Sequence, residues 1–280
     1  MASPARMLLD FDEALQEAER KVSATARLWQ RDWAATALRA IQKGLVELAG
    51  HDTKALEDRM AQLAARLRAM DEAEFSPLRA ELRSKTLDSA RFAELLGVVP
   101  AYEWDAFTER LLGIHEVPAA TKARTLEMVK YQATPLASIF ELVPLLTAED
   151  VLYDLGSGLG KVPMLVSLLS SAQAVGVEME PAYGQLASKR AAEFGLERVR
   201  FEVADAREAD YRAGTFFYFF FPFDGEVMTR VLQQIRKHTK GRQIRLAALH
   251  RSTVRFDQEA WLSRELAFPS GLVLYRSEVH

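Results

Sequence analysis

Val151-Leu152-Tyr153-Asp154-Leu155-Gly156-Ser157-Gly158-Leu159-Gly160-Lys161 is the stretch that decides the fold of this chain. A short apolar run ends in an acid, glycines follow at 156, 158 and 160, and a helical pattern over 161–171 starts behind them. Glycine at a strand-to-helix junction permits a sharp turn with positive φ and lets a ligand approach the main chain. The helix behind it begins with N–H groups that have no partner of their own. Outward from this turn, apolar runs at 172–178, 199–203, 215–221 and 243–249 alternate with helical patterns at 181–194 and 225–238. Strands separated by helices of this length imply right-handed crossovers and a parallel sheet. Runs at 261–268 and 272–278 flank Pro269-Ser270-Gly271, a turn signal, so a terminal hairpin adds an antiparallel strand. The fold class expected is α/β, a doubly wound, mostly parallel, Rossmann-like sheet of seven strands preceded by an all-helical region. Such a sheet binds its ligand at the carboxyl ends of the strands, where the strand order reverses.

Three ligands compete for the glycine turn. A phosphate loop needs G-x-x-x-x-G-K-[ST], but Leu155 stands five residues before Gly160 and Val162 replaces the hydroxyl. A dinucleotide fingerprint needs G-x-G-x-x-G, but the third glycine falls at 160, and Asp154 would face a pyrophosphate. The remaining pattern is acid-x-G-x-G-x-G. A carboxylate at that place suits a ligand with a cationic amino group, and S-adenosylmethionine, an ammonium and a sulfonium in one molecule, is such a ligand. Two further acids stand at strand ends. Glu178 lies 20 residues after Gly158, where a carboxylate accepts ribose hydroxyls, and Asp205, in Ala204-Asp205-Ala206, follows the third strand, where an acid accepts from an adenine amino group. Capping of helices is the competing role for these acids, above all for Asp205.

With these residues in place, 126–250 resembles a class I, seven-strand methyltransferase. The string Tyr153-Asp154-Leu-Gly156-Ser157-Gly158 and the preceding Tyr131-Gln132-Ala133-Thr134-Pro135 are closest to the non-SET histone-lysine methyltransferases and to the seven-strand lysine methyltransferases of mitochondrial carriers. The resemblance implies S-adenosylmethionine as cofactor. It implies a cofactor site made of Tyr131, Thr134, Asp154, Gly156, Ser157, Gly158, Gly160, Lys161, Glu178, Asp205, Ala206 and Phe221, with Tyr131 and Thr134 near the methionine end. It covers less than half of the chain, and residues 1–125 resemble no family.

The methyl acceptor is read from the end of the fourth strand. Methyltransferases of base or amide nitrogens carry an [Asn/Asp/Ser]-Pro-Pro-aromatic loop there. This chain has Phe220-Phe221-Pro222-Phe223, without the polar side chain that holds a planar NH2 group. Phe221, Pro222 and Phe223 are the expected acceptor wall, whereas Phe216–Phe220, with Tyr218 among them, read as buried strand. An apolar wall suits a desolvated lysine amine, because desolvation lowers its pKa and frees the attacking lone pair. It also suits a lipophilic small molecule. An in-line transfer from an activated methyl needs positioning more than acid–base help. Tyr131 and His250 are the candidate catalytic side chains. A non-catalytic binding module of the same fold is the reading from another class.

Composition sets the outer limits. The 280 residues carry 36 Lys+Arg and 39 Asp+Glu, a net charge of −3, so no global basic field draws the chain to nucleic acid or anionic lipid. A basic run between 230 and 255 reads as solvated helix surface, with an RNA rim as its functional alternative. The absence of Cys removes thiol catalysis and Cys-ligated metal centres, and no His/Asp/Glu cluster has ligand spacing, so no metal is expected. No apolar stretch approaches the length of a membrane span and no leader-like start is visible, so a cytoplasmic protein is expected. Residues 1–125 read as successive helices serving as lid, recognition module or homodimer contact, with Trp29, Trp33, Trp104 and Phe107 as their core. The catalytic domain is expected at 126–280.

Overall fold

The computed structural model describes residues 3–120 and 131–279, arranged in two compact units. The first runs to Ala80 and includes Val98–Leu111; the second comprises Glu81–Gly97 and the chain from Leu112 on. The expected boundary at 125 lies outside the described residues, and residues 81–97 and 112–120, read as part of the helical region, fall in the second unit.

The first unit is helical. Its elements are α1 (Pro4–Lys21), α2 (Leu28–Leu45), most of α3 (Lys54–Arg83) and, in chain order after α4 (Ser89–Val98), α5 (Trp104–Leu111). Ser3 caps α1 by accepting the Arg6 N–H at 3.3 Å, and Pro4 fills a position where no N–H is needed. Leu15, Ala18, Leu38, Ile41, Leu45, Leu56, Met60, Leu63 and Leu67 recur at helical spacing and form one buried cluster. Trp33 packs at its edge, whereas Trp29 is 45% exposed, so the expectation that Trp29 is core is corrected: it faces outward on α2. α3 runs unbroken through Pro77 to Arg83.

A buried ionic group ties α2, α3 and α5. Asp71 accepts from Arg31 Nη1 at 2.9 Å and from Arg110 Nε at 3.0 Å, while Arg110 Nη2 reaches Asp32 at 2.7 Å. Asp71→Asn turns one amide NH2 group towards an arginine donor, so it is expected to lower the stability of the helical unit by about 1–3 kcal/mol. Urea unfolding followed by helix circular dichroism measures this; an unchanged midpoint would show that the network contributes nothing.

The second unit carries the sheet. Its strands are β1 (Val151–Leu155), β2 (Gln173–Glu178), β3 (Val199–Val203), β4 (Phe216–Phe219), β5 (Arg245–Ala248), β6 (Leu262–Ala267) and β7 (Val273–Ser277). Their order is β3-β2-β1-β4-β5-β7-β6. β1 to β5 are mutually parallel, and β7 runs antiparallel to both β5 and β6. The helices are α4, α6 (Leu136–Leu142), α7 (Lys161–Leu169), α8 (Pro181–Glu193), α9 (Gly225–His238) and the short α10 (Arg251–Phe256). Glu180 and Asp224 start α8 and α9 by accepting N–H groups of Ala182 and Gly225.

The pleat sorts the strands by face. Tyr153, Leu155, Val175, Val177, Phe217, Phe219, Leu246 and Ala248 pack under Met228, Val231, Leu232 and Ile235 of α9. Asp154 and Tyr218, partners in the β1–β4 register, therefore share the opposite face. The order reverses between β1 and β4, which puts the glycine turn at the switch point.

Candidate functional site

The site grows from the end of β1. Gly156 and Ser157 donate their N–H groups to the Val177 carbonyl at 2.8 and 3.1 Å, which folds the turn back over β2. Gly156 and Gly158 have φ of +74° and +53°. A Cβ on Gly156 would overlap Pro222, and one on Gly158 would overlap the ring of Tyr131. The missing side chains let two other segments close on the turn: the loop after β4, through Pro222, and the 131–135 segment, through Tyr131. Tyr131 also stands edge-on to Tyr183 of α8, with ring centroids 5.6 Å apart.

Glu178 holds the turn to the end of β2. Its carboxylate accepts the Gly158 N–H at 2.8 Å and the Glu180 N–H at 2.8 Å. Burial pushes this carboxyl up from its ordinary value, against the lowering effect of these N–H donors. Each carboxylate oxygen has a second lone pair, so acceptance from a ribose hydroxyl remains open to it.

Asp154 is buried and, among the described residues, accepts no hydrogen bond. Burial, and then the negative charge of Glu178, push its carboxyl up to about 8. Beside it the Tyr218 hydroxyl is fully buried; among the described residues it makes no well-formed hydrogen bond, and the Thr134 hydroxyl is within reach of it. Burial and the neighbouring Asp154 hold the Tyr218 hydroxyl far above its ordinary value. The Ser157 hydroxyl is a third buried polar group without a partner. Buried polar groups are nearly always paired. Three of them around one glycine turn, with an uncompensated carboxyl in the middle, fit a ligand with a cationic donor group, as S-adenosylmethionine has. A second sign of fit is that side chains of Tyr131 and Pro222 close over glycines that have none.

The other expected residues divide. Thr134 is buried, and Gly160 and Lys161 start α7, with Lys161 only 3% exposed. Asp205 is engaged locally. It forms a turn with the Arg207 N–H at 2.9 Å, and the Arg207 guanidinium grips both its oxygens at 3.0 and 2.6 Å. The loop-capping role competes here with adenine recognition, and Ala206 gives its carbonyl to the Tyr211 hydroxyl. Phe223 is corrected as an acceptor wall: it is 6% exposed and packs on Phe219 beneath α9, so it is core. Phe220, read as buried strand, lies past the end of β4 and is half-buried, with its ring 5.3 Å from that of His250.

Phe221 and His250, at the ends of β4 and β5, have φ of +46° and +54°. This conformation is rare for residues with a side chain and gathers at functional sites. Arg251 lies 5.7 Å over the Phe221 ring. Much of the basic run is engaged within the unit: Arg230 with Glu226, Arg245 with Asp150, Arg255 with Glu259. Among the described residues, no group of three His, Asp or Glu is arranged to hold a metal, and no helix is long and apolar enough to cross a membrane.

Sheet order, glycine turn and strand-end acids together define a class I, Rossmann-like methyltransferase domain. The family described as histone methylation protein DOT1 matches residues 131–259, just under half of the chain, and the domain is an S-adenosylmethionine-dependent methyltransferase. No curated protein sequence matches the chain. Among solved structures it is similar to an RNA methyltransferase from Salinibacter ruber in complex with S-adenosyl-L-homocysteine, at 24% identity over 53% of this chain and 94% of that one, TM-score 0.43. It is also similar to magnesium protoporphyrin IX methyltransferase from Synechocystis PCC 6803, at 12% identity over 50% and 77% of the two chains, TM-score 0.41. A third is precorrin-6y C5,15-methyltransferase from Geobacter metallireducens GS-15, at 14% over 55% and 93%, TM-score 0.41.

Proposed function

We propose that the domain methylates a lysine amine of a protein, with the cofactor held between the glycine turn, Asp154, Glu178, Thr134 and the Tyr131 ring. The observation that carries the acceptor is the half-buried aromatic pair Phe220 and Phe221 at the end of β4, on a loop pressed against Gly156. A doubly wound sheet takes its ligand at the carboxyl ends of its strands, where this loop lies, and the loop has no amide-holding side chain. The histone-methylation character of the matched family supports the same acceptor.

The cofactor supplies an electrophilic methyl on a sulfonium. The chain's part is to strip water from the acceptor amine, which favours its neutral form, and to hold it in line with the carbon–sulfur bond. S-adenosylmethionine held by the glycine turn, Asp154 and Glu178 would supply the methyl to the nitrogen lone pair and would keep the carbon–sulfur electron pair as a neutral thioether. The methylated amine sheds its extra proton to solvent, with His250, whose ring lies 5.3 Å from that of Phe220, as the candidate relay.

Tritiated S-adenosylmethionine incubated with the protein and a cell lysate tests this. Label in protein, mapped to methyl-lysine by mass spectrometry, is the expected result. Label confined to the organic extract would transfer the assignment to a small molecule, and binding of S-adenosylhomocysteine with no transfer to any fraction would leave a binding module. Phe220→Ala removes the ring beside His250 and widens the acceptor end. It is expected to lower methyl transfer at saturating cofactor by about tenfold, with unchanged S-adenosylhomocysteine affinity in calorimetry. A loss of affinity instead would place Phe220 on the cofactor.

A further inference from the structure

Among positions 216–221 five are Phe and one, Tyr218, is Tyr. The lone hydroxyl in this run is fully buried, and among the described residues it makes no well-formed hydrogen bond, with only the Thr134 hydroxyl within reach. Phenylalanine would fill the same volume without that penalty, and leaving a buried hydroxyl unpaired costs stability. Tyr218 faces Asp154 across the β1–β4 register, on the side of the sheet away from α9. Among the described residues Asp154 accepts no hydrogen bond either, and the charged group that acts on it is Glu178, of the same sign. Glu178 is already turned to the N–H groups of Gly158 and Glu180. An oxygen acceptor and a carboxyl thus stand side by side on the face of the sheet away from α9, next to the glycine turn. An anion would be repelled there, and a neutral amide would leave the carboxyl uncompensated. A primary ammonium has three donors and one positive charge, enough for both.

We propose that the Tyr218 hydroxyl is a direct ligand of the cofactor's α-ammonium group, sharing that cation with Asp154. This rests on the cofactor site described above and adds a residue from β4 to it. The Tyr218 oxygen accepts one ammonium proton, and its own proton turns to the Thr134 hydroxyl beside it. The β4 strand therefore contributes to both ends of the site: Tyr218 to the cofactor's amine and Phe220 and Phe221 to the acceptor.

Calorimetry with two ligands, S-adenosylhomocysteine and its analogue lacking the α-amino group, tests this on the full chain. Tyr218→Phe is expected to weaken S-adenosylhomocysteine by about ten- to a hundredfold. The same change leaves the deaminated analogue unaffected, and leaves the thermal midpoint of the ligand-free protein unchanged or raised. Equal S-adenosylhomocysteine affinity in both proteins overturns the proposal, and so does an equal loss for both ligands, which would mark Tyr218 as structural. A measurement on the wild type needs no variant: the Tyr218 Cζ resonance in protein labelled with 13C-tyrosine shifts on adding S-adenosylhomocysteine but not the deaminated analogue. The same shift with both ligands counts against it. A wild type that binds neither ligand contradicts the cofactor site itself, an outcome separate from the failure of Tyr218 alone.

Discussion

Asp154→Asn is expected to lower the affinity for S-adenosylhomocysteine by about a hundredfold or more, and to make the ligand-free protein more stable at pH 8. Both effects follow from one buried carboxyl. Its ordinary value of 3.8 is raised to about 8 by burial and by the charge of Glu178. Below the ordinary value the group is protonated in the folded and the unfolded chain, and it costs nothing. As pH rises from there the unfolded chain loses the proton and the folded one keeps it, so stability falls until the folded carboxyl itself ionises near pH 8. Asn cannot ionise and is spared this loss. The gap in melting temperature between variant and wild type should therefore be absent at low pH, widen through neutrality and level off above pH 8. Binding runs the other way. The ammonium requires the ionised carboxylate, so the wild-type affinity for S-adenosylhomocysteine should climb between pH 6 and pH 8 as the proton becomes easier to displace, and the Asn variant should show no such climb. Thermal melts across pH and calorimetry at each pH measure the two curves. Parallel melting curves for variant and wild type would show that Asp154 is not held protonated in the fold, and the argument from an uncompensated carboxyl would be wrong.

The same site shows which parts of the molecule a sequence makes legible. The parallel strands were readable because short apolar runs alternate with helical patterns; β3 at 199–203 and α9 at 225–238 have the bounds that their patterns predict. Asp154 and Glu178 stood out because acids at the ends of apolar runs are chemically conspicuous. Tyr218 did not. Its significance comes from register, the pairing of β1 with β4 that sets it against Asp154, and that pairing joins residues 64 positions apart with no local trace. In its own stretch it is one more aromatic in a buried strand. Phe220 and Phe223 exchanged roles for a related reason: β4 stops at Phe219, and the turn at Phe221 returns Phe223 to the core. A positive φ at a phenylalanine is imposed by tertiary contacts, which local propensity does not encode. Asp205 was legible as an acid but not as the partner of Arg207 two residues on, because i,i+2 pairs meet only in tight turns. Trp29 misled through composition alone, since a tryptophan at helical spacing reads as core until the neighbouring helices are placed.

Gly158→Ala is the second change with a large expected effect, and its interest is that two causes of damage can be separated. Gly158 has φ of +53°, a conformation that costs an L-residue roughly 1–2 kcal/mol. The added methyl would also overlap the Tyr131 ring, which closes over the turn. Backbone strain alone lowers stability and leaves the shape of the site in place. Overlap displaces Tyr131 and, with the turn itself moved, the Gly158 N–H that holds Glu178. Affinity for S-adenosylhomocysteine is then expected to fall by about a hundredfold. Gly241 supplies the control: its φ is +78° and nothing lies within 4 Å of the position a Cβ would take. Gly241→Ala should lose a similar amount of stability and bind S-adenosylhomocysteine as the wild type does. In the double variant Gly158→Ala/Tyr131→Ala the overlap is gone but so is the covering ring. Part of the stability should return, with a coupling of about 0.5–3 kcal/mol between the two positions, while affinity stays low. Chemical unfolding and calorimetry on the wild type, Gly158→Ala, Tyr131→Ala, Gly241→Ala and the double variant separate the two causes. Should Gly158→Ala bind S-adenosylhomocysteine as tightly as Gly241→Ala, the close approach of Tyr131 to the turn has no part in holding the cofactor, and the 131–135 segment loses its role as the cover of the site.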